Sequence, residues 1–267
     1  MRCLIPALLL TLSSCSTLSH SGSDAFTQQF SVKEVAPKTF VVTDQSYHNS
    51  NVMVAVMPDQ TVLIASSPFE TEGAEQLVQW IHSQWNPKKI VAINTHFHAD
   101  GTGGNEAYQK NGVEIWASDL TRKLQSEFGE AKKKGEAADF ASKPELQARI
   151  LKRKIVLADH TFKLQDGKTF EFAGKKVEVI YPGPAHSQDN VVVYLPERKV
   201  LFGGCMIRPT DTLGYTGDAS IKTWAASATR LKPLAPKVVI AGHEVIGGPE
   251  LIENTARTAS KAAAQPM

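Results

Sequence analysis

Cysteine is nearly missing from this chain: three occur in 267 residues, at Cys3, Cys15 and Cys205. The first two fall in an N-terminal stretch that reads as an export signal. An exported product would keep one internal cysteine and could make no internal disulfide, so Cys205 needs another explanation. An excess of one charge is also lacking, because 29 Lys and Arg face 27 Asp and Glu, leaving a formal +2. The basic run Lys132-Lys133-Lys134 sits beside glutamates and reads as a solvated helix face, which excludes a nucleic-acid partner. The apolar run from Leu4 to Leu12 is too short to span a bilayer comfortably. No Ser-X-X-Lys nucleophile motif stands in a suitable context, and no repeat or linker occurs after Thr39. What is present is ordinary for a globular enzyme, with 42% hydrophobic and 21% charged residues over a length that suits one large domain or two small ones. One domain is the better reading.

The N-terminus carries an address. Arg2 supplies a positive start, and the apolar run ends in Leu12-Ser13-Ser14-Cys15, which resembles the lipobox of bacterial lipoproteins. On that reading residues 1–15 are a signal, Cys15 takes the lipid, and the protein is periplasmic and tethered to a membrane only through that anchor. The alternative is an ordinary secretory signal cleaved nearby, with Cys15 incidental. Residues 16–34, rich in serine at their start, read as a flexible tether, and 35–263 as the folded domain. A monomer is expected.

From Thr39 onward strands and helices alternate. Thr39–Val42, Val52–Met57 and Val62–Ile64 are apolar and β-rich, with a turn at Pro58-Asp59-Gln60. Ala74, Leu77, Val78 and Ile81 recur at helical spacing up to Pro87. Ile90–Ile93 is a short all-apolar strand of the kind buried on both faces. Residues 118–153 are mostly helical and polar. The segments Phe162–Leu164, Phe170–Phe172, Val177–Ile180, Val191–Leu195 and Val200–Phe202 then read as strands joined by tight turns. A helix over Ile221–Leu231, a strand over Val238–Ile240 and a final helix from Pro249 close the chain. Helices outside two packed sheets satisfy this pattern.

Packing alone explains poorly the residues just past the Ile90–Ile93 strand. His96, His98 and Asp100 stand at i, i+2 and i+4, a spacing that in an extended segment aims all three side chains one way. Imidazole and carboxylate together suit zinc or a similar divalent metal. Gly101 and Gly103-Gly104 let the backbone turn beside them. His186, Cys205 and His243 each lie on a loop just past a strand, where ligands in layered α/β proteins gather. A lone cysteine is usually a buried structural one, but Cys205 stands at a strand end, directly after Phe202-Gly203-Gly204. Six ligands suffice for two tetrahedral zinc ions that each keep an open position. His20, His48, His82 and His160 fit no such pattern and read as surface or hydrogen-bonding residues.

These motifs, in this order, resemble those of subclass B1 metallo-β-lactamases. They are His-X-His-X-Asp at His96, Gly-Gly-Asn at Gly103, Gly-Pro-Ala-His-Ser-X-Asp-Asn from Gly183, Phe-Gly-Gly-Cys from Phe202 and Gly-His at Gly242. The resemblance runs from about Val41 to Ala259. Among its types the São Paulo type is most similar, through Thr43-Asp44, Ser66-Ser67-Pro68-Phe69-Glu70, the long helical insert after Ser118-Asp119-Leu120-Thr121, and Leu213-Gly214-Tyr215. The resemblance implies an α/β fold, the αββα four-layer sandwich, as a single domain with its metals at one edge. It implies two Zn2+ per chain, the first on His96, His98 and His186, the second on Asp100, Cys205 and His243. It also implies hydrolysis of the β-lactam ring of penicillins, cephalosporins and carbapenems, and hence antibiotic resistance.

The chemistry is coherent on its own terms, since zinc lowers the pKa of bound water to about 7 and so makes hydroxide available at neutral pH. Asp100 would anchor the second zinc and orient the nucleophile, and Arg208 would hold the substrate carboxylate. Tyr215 would line the oxyanion side, and Tyr47 would pack on apolar substrate groups. Several positions depart from the family pattern: Arg208 replaces a common Lys, Tyr215 a common Asn, Ser66 a buried Asp, and Glu244 a usual Gly. Two alternatives stay open. One is a hydrolase of the same fold acting on a lactone or thioester, against which Cys205 argues. The other is a non-catalytic zinc-binding lipoprotein, which turnover would exclude.

Overall fold

The computed structural model describes residues 26–265. One sheet holds seven strands in sequence order: β1 (Phe30–Ala36), β2 (Thr39–Asp44), β3 (Ser50–Val56), β4 (Thr61–Ala65), β5 (Lys89–Ile93), β6 (Glu114–Ser118) and β7 (His160–Phe162). Its first four strands pair antiparallel, and β4 to β7 run parallel. The second sheet is ordered β13-β12-β11-β10-β9-β8, from β8 (Lys168–Phe172), β9 (Lys175–Ile180), β10 (Val192–Leu195), β11 (Val200–Gly204), β12 (Val238–Ala241) and β13 (Ile246–Gly247). The helices are α1 (Thr71–Trp85), the short turns α2 (Ala99–Thr102) and α3 (Asn105–Lys110), α4 (Asp119–Asp139), α5 (Pro144–Lys152), α6 (Ile221–Thr229) and α7 (Glu250–Ala263). Among the described residues no helix is long and apolar enough to cross a membrane.

Four layers result from where the side chains go. Val41, Met53, Ala55, Leu63 and Ile93 of the first sheet meet Val177, Val193, Phe202 and Ile240 of the second in one buried cluster. The alternate residues of the same strands, Val42, Val52, Val54, Val62 and Ile64, face outward onto Leu77, Val78 and Ile81 of α1. On the far side Val192, Leu201 and Val239 are covered by Trp224 of α6 and by Leu251, Ile252 and Ala259 of α7. Strands covered on both faces read as continuous apolar runs, which is why β3, β4 and β5 show no polar alternation. The α/β fold with αββα layering is therefore the observed one.

The boundary of the domain differs from the sequence expectation. Residues 30–34, assigned to the tether, belong to β1 and pair with β2 from Phe30↔Asp44 to Glu34↔Phe40. The physical reason is a small aromatic anchor. Phe26 stacks on Trp80 with centroids 5.1 Å apart and lies 5.0 Å from Phe30, and both phenylalanines are buried. The exposed Ser31, Lys33 and Glu34 between these anchors and the domain masked the strand. Residues 1–25, including the signal, Cys15 and most of the tether, lie outside the described residues. A smaller shift occurs later: β7 ends at Phe162, and Leu164 begins a 3-10 turn instead of extending a strand.

Candidate metal centre

The six ligand candidates sit at the C-terminal ends of strands from both sheets, all at one edge of the sandwich. His96 lies three residues past β5, His186 on the loop after β9, Cys205 directly after β11 and His243 two residues after β12. Backbone bonds stitch the two sheets together there. Val191 N–H donates to Thr95 O (2.8 Å) and Asn51 N–H to Gly242 O (2.8 Å), while Gly242 N–H donates to Gly204 O (2.8 Å) within the second sheet. Two glycines are dictated by crowding. A Cβ at Gly242 would lie 2.5 Å from Cys205 Sγ, and one at Gly101 would lie 2.3 Å from His96 O. The residue after Asp100 therefore has no room for a side chain.

The donors converge. His98 Nδ1 lies 3.1 Å from His186 Nε2, and the ring centroids of His96, His98 and His186 are 4.8 to 5.3 Å apart. Cys205 Sγ lies 2.8 Å from Asp100 Oδ2 and 3.5 Å from His243 Nε2, with His243 Nε2 3.3 Å from Asp100 Oδ2. His96 Nε2 is 3.2 Å from Asp100 Oδ1, so Asp100 touches both groups. Ligand atoms of Asp100, Cys205 and His243, of His96, His98 and Asp100, and of His96, His186 and Cys205 each gather within 4.8 Å. The convergence does not come from an extended segment, as the spacing suggested. His96 and His98 lie on a bend, and Asp100 sits inside the helical turn α2 that follows, which folds its carboxylate back to within 3.2 Å of His96.

These residues fit a metal. His96 Nε2 is buried and makes no well-formed hydrogen bond among the described residues, its nearest polar neighbour being Asp100 Oδ1 at 3.2 Å, so its lone pair and that carboxylate are both left to face a cation. Burial, reinforced by the neighbouring His98 and His96, holds His186 well below the ordinary imidazole range, which keeps it neutral and able to donate a lone pair. Burial opposes ionisation of Asp100, yet His96 and His243 hold its carboxyl well below the usual carboxylate range. Burial and the Asp100 charge push the Cys205 thiol up, so a thiolate here requires a cation beside it.

Outer partners fix the tautomers. His243 Nδ1–H donates to the backbone oxygen of His48 (3.0 Å), which leaves Nε2 for the metal. His98 Nε2–H donates to Asp218 (2.9 Å), which leaves Nδ1. Asp218 was not singled out from the sequence, although it lies only three residues past Tyr215. The same carboxylate oxygen accepts from the Tyr215 hydroxyl (3.1 Å) and from the Lys132 ammonium. The hydrogen bond from His98 and then that from Lys132 hold the Asp218 carboxyl far below its ordinary range, with burial opposing them. Lys132, read as part of a solvated face, thus reaches the metal centre from α4.

The remaining candidates border this centre in different ways. Arg208 is half-buried, and its charge bears on both Cys205 and His186. Its Nε donates to Thr212 O (3.2 Å), and among the described residues its terminal nitrogens carry no hydrogen bond. Tyr215 is 56% exposed, its ring set edge-on to His98 at 5.7 Å, and its hydroxyl is already engaged by Asp218 and Lys132. It lines the site with its ring and has no free hydroxyl to offer an oxyanion. Tyr47 stacks flat on Phe69 at 3.5 Å and lies 6.4 Å from His243, so one face is already covered. Ser66 adopts φ 77° and donates to Asp100 O at 2.5 Å. Glu244 adopts φ 57°, the left-handed region that glycine enters without cost.

Residues 47–243 match the family model described as the metallo-beta-lactamase superfamily. The chain belongs to that superfamily. It is 31% identical over 260 residues to a metallo-beta-lactamase type 2 of Pseudomonas aeruginosa, covering 95% of this chain and 94% of the relative. A metallo-beta-lactamase type 2 of Bacteroides fragilis is 30% identical, over 77% of this chain and 73% of the relative. The solved metallo-beta-lactamase from Pontibacter korlensis superposes with a TM-score of 0.71 at 30% identity, over 87% of this chain and 99% of that one. Within this superfamily the triad of Asp100, Cys205 and His243 marks the chain as B1-like.

Proposed function

We propose that this chain is a zinc-dependent β-lactamase of the B1 type, which opens the β-lactam ring of penicillins, cephalosporins and carbapenems and so confers antibiotic resistance. The observation that carries the reading is the convergence of three histidine rings on one side and of the Asp100, Cys205 and His243 ligand atoms on the other, with Asp100 touching both. Zinc held by these triads supplies a water whose pKa falls to about 7 and a Lewis acid for a carbonyl oxygen. The protein's share is placement. Asp100 spans both triads and keeps their donors in register. The carbonyl of His48 and the carboxylate of Asp218 hold His243 and His98 in the ligating tautomer. The test is turnover of a chromogenic cephalosporin and a carbapenem by purified protein. Treatment with a strong chelator should abolish it and added zinc should restore it, whereas turnover by fully zinc-free protein would end the reading.

Arg208 binds the substrate carboxylate. It stands three residues past Cys205 with its terminal nitrogens unengaged, and its planar fork can hold a carboxylate through two hydrogen bonds. Charge-assisted bonds are worth about 1.5–3 kcal/mol, so Arg208→Ala should lower kcat/KM by about ten- to a hundredfold, mostly through KM, with zinc content unchanged. Equal losses on a substrate lacking the carboxylate would show instead that Arg208 supports the loop.

Within the B1 type, the São Paulo type is the reading favoured by Thr43-Asp44, Ser66-Ser67-Pro68-Phe69-Glu70, the helical insert after Ser118-Asp119-Leu120-Thr121, and Leu213-Gly214-Tyr215. The protein works in the periplasm as a monomer, anchored to a membrane through lipid on Cys15. The lipobox-like Leu12-Ser13-Ser14-Cys15 supports the anchor. Mass spectrometry of the mature protein should find diacylglycerol on an N-terminal Cys15, and an unmodified terminus further along would show a free protein.

A further inference from the structure

The loop from Arg208 to Ser220, between β11 and α6, forms no helix or strand and carries Tyr215 and Asp218 at its tip. Its base is well tied. Asn254 Nδ2 donates to Arg208 O and Thr210 O, Leu213 is buried, and Ser220 N–H donates to Ala185 O. The tip is different. Among the described residues, the side-chain bonds that join Tyr215 and Asp218 to the rest of the protein run to His98 and to Lys132. Lys132 Nζ donates to Tyr215 Oη (3.0 Å) and to Asp218, and it lies 5.4 Å from the centre of the Tyr215 ring and 5.7 Å from that of Phe97. Lys132 belongs to α4, the helix inserted between β6 and β7. It therefore bridges two segments 83 residues apart in sequence.

What the bridge holds is an aromatic wall. The Tyr215 ring stands edge-on to His98 and lies 6.4 Å from the His186 ring, yet it stays 56% exposed. A large aromatic ring that remains exposed beside a buried polar centre offers a surface to an apolar group of a ligand. A phenol on an unattached loop tip would pay the entropy of ordering on each binding event, whereas one hydrogen-bonded to a helix is placed in advance.

We infer that Lys132 is a specificity-determining positioning residue, a latch from the helical insert that holds Tyr215 as a fixed wall for the apolar or aromatic substituent of the substrate. This rests on the β-lactamase reading for the identity of the substrate, but the latch itself can be observed without turnover.

The decisive variants are Lys132→Met, which keeps the aliphatic stem, and Lys132→Arg, which keeps the charge and the donors. Aromatic contacts are worth about 0.5–1.5 kcal/mol. Lys132→Met should therefore raise KM for a penicillin bearing an aromatic side chain about three- to tenfold. A carbapenem without such a group should lose less than the penicillin does, only the share that comes from the weakened support of Asp218 and His98, with zinc stoichiometry unchanged at saturation. Lys132→Arg should restore the wild-type pattern. In a Tyr215→Ala background, Lys132→Met should add no further loss, because the wall it positions is gone. The second readout uses zinc-loaded protein carrying fluorotyrosine, with the resonance of residue 215 assigned from Tyr215→Phe. That resonance should shift or broaden in Lys132→Met. An unchanged fluorine signal overturns the latch whether or not the protein opens β-lactams. A changed signal with equal losses on both substrates overturns the role in specificity.

Discussion

Asp100→Ala should lower kcat/KM for β-lactams by about a thousandfold, roughly 4 kcal/mol of transition-state stabilisation at 1.36 kcal/mol per decade. Bound zinc should fall from two per chain to one or fewer under conditions that saturate the wild type. The size of the effect comes from position. Asp100 lies 3.2 Å from His96 Nε2, 2.8 Å from Cys205 Sγ and 3.3 Å from His243 Nε2. It is buried, and no second carboxylate among the described residues touches both groups. Removing it takes a donor from one triad and the balancing charge from beside His96, which that carboxylate holds above the ordinary imidazole range against the effect of burial. Asp100→Asn, close in shape but uncharged, should lie between wild type and alanine. Metal analysis with steady-state kinetics on the same samples checks this. Two zinc ions retained with unchanged kinetics would remove Asp100 from the centre.

That centre was legible in the sequence to an unusual degree, and the reason is chemical. Histidine, cysteine and aspartate placed one after another just past apolar strands have few packing explanations, so His96, His98, Asp100, His186, Cys205 and His243 stand out by residue type and position alone. The layering was legible for a similar reason, because strands buried on both faces leave continuous apolar runs. What stayed hidden depends on contacts between distant segments. Lys132 lies in a run of three lysines, and nothing local separates it from its neighbours. Its identity as a site residue comes from Asp218, 86 residues on. Asp218 is one of many loop aspartates until His98 is placed against it. The contribution of His48 is a backbone oxygen, which side-chain type cannot reveal. The spacing from His96 to Asp100 correctly signalled convergence, but through a bend and a helical turn rather than an extended strand. Strand β1 was lost to its own exposed face, since only Phe30 of its seven residues is fully buried.

Trp224→Ala should be the most destabilising single change outside the ligands, by about 3–5 kcal/mol. At roughly 2–4 °C per kcal/mol for a domain of this size, that is a fall in Tm on the order of 6–20 °C. Trp224 is fully buried on α6 and heads the largest side chains of the outer core beneath α7. Truncation removes the most apolar volume that one substitution can take from that layer. The indole also does something more specific. Its Nε1–H donates to Met206 O (2.8 Å), the residue after Cys205, and its ring lies 5.9 Å from His186. It therefore supports two ligand loops at once, one from each triad. Trp224→Phe separates the two roles, because it retains most of the apolar volume and leaves the Met206 carbonyl without its donor. That variant should lose about 1–3 kcal/mol, and its zinc affinity should fall by about ten- to a hundredfold, as expected when an outer support of a ligand loop is removed. Thermal unfolding of the zinc-free protein reads the packing, and competition with a chromogenic chelator reads the metal. A Trp224→Phe protein with reduced Tm but wild-type zinc affinity would confine the indole to the core and leave both ligand loops to hold themselves.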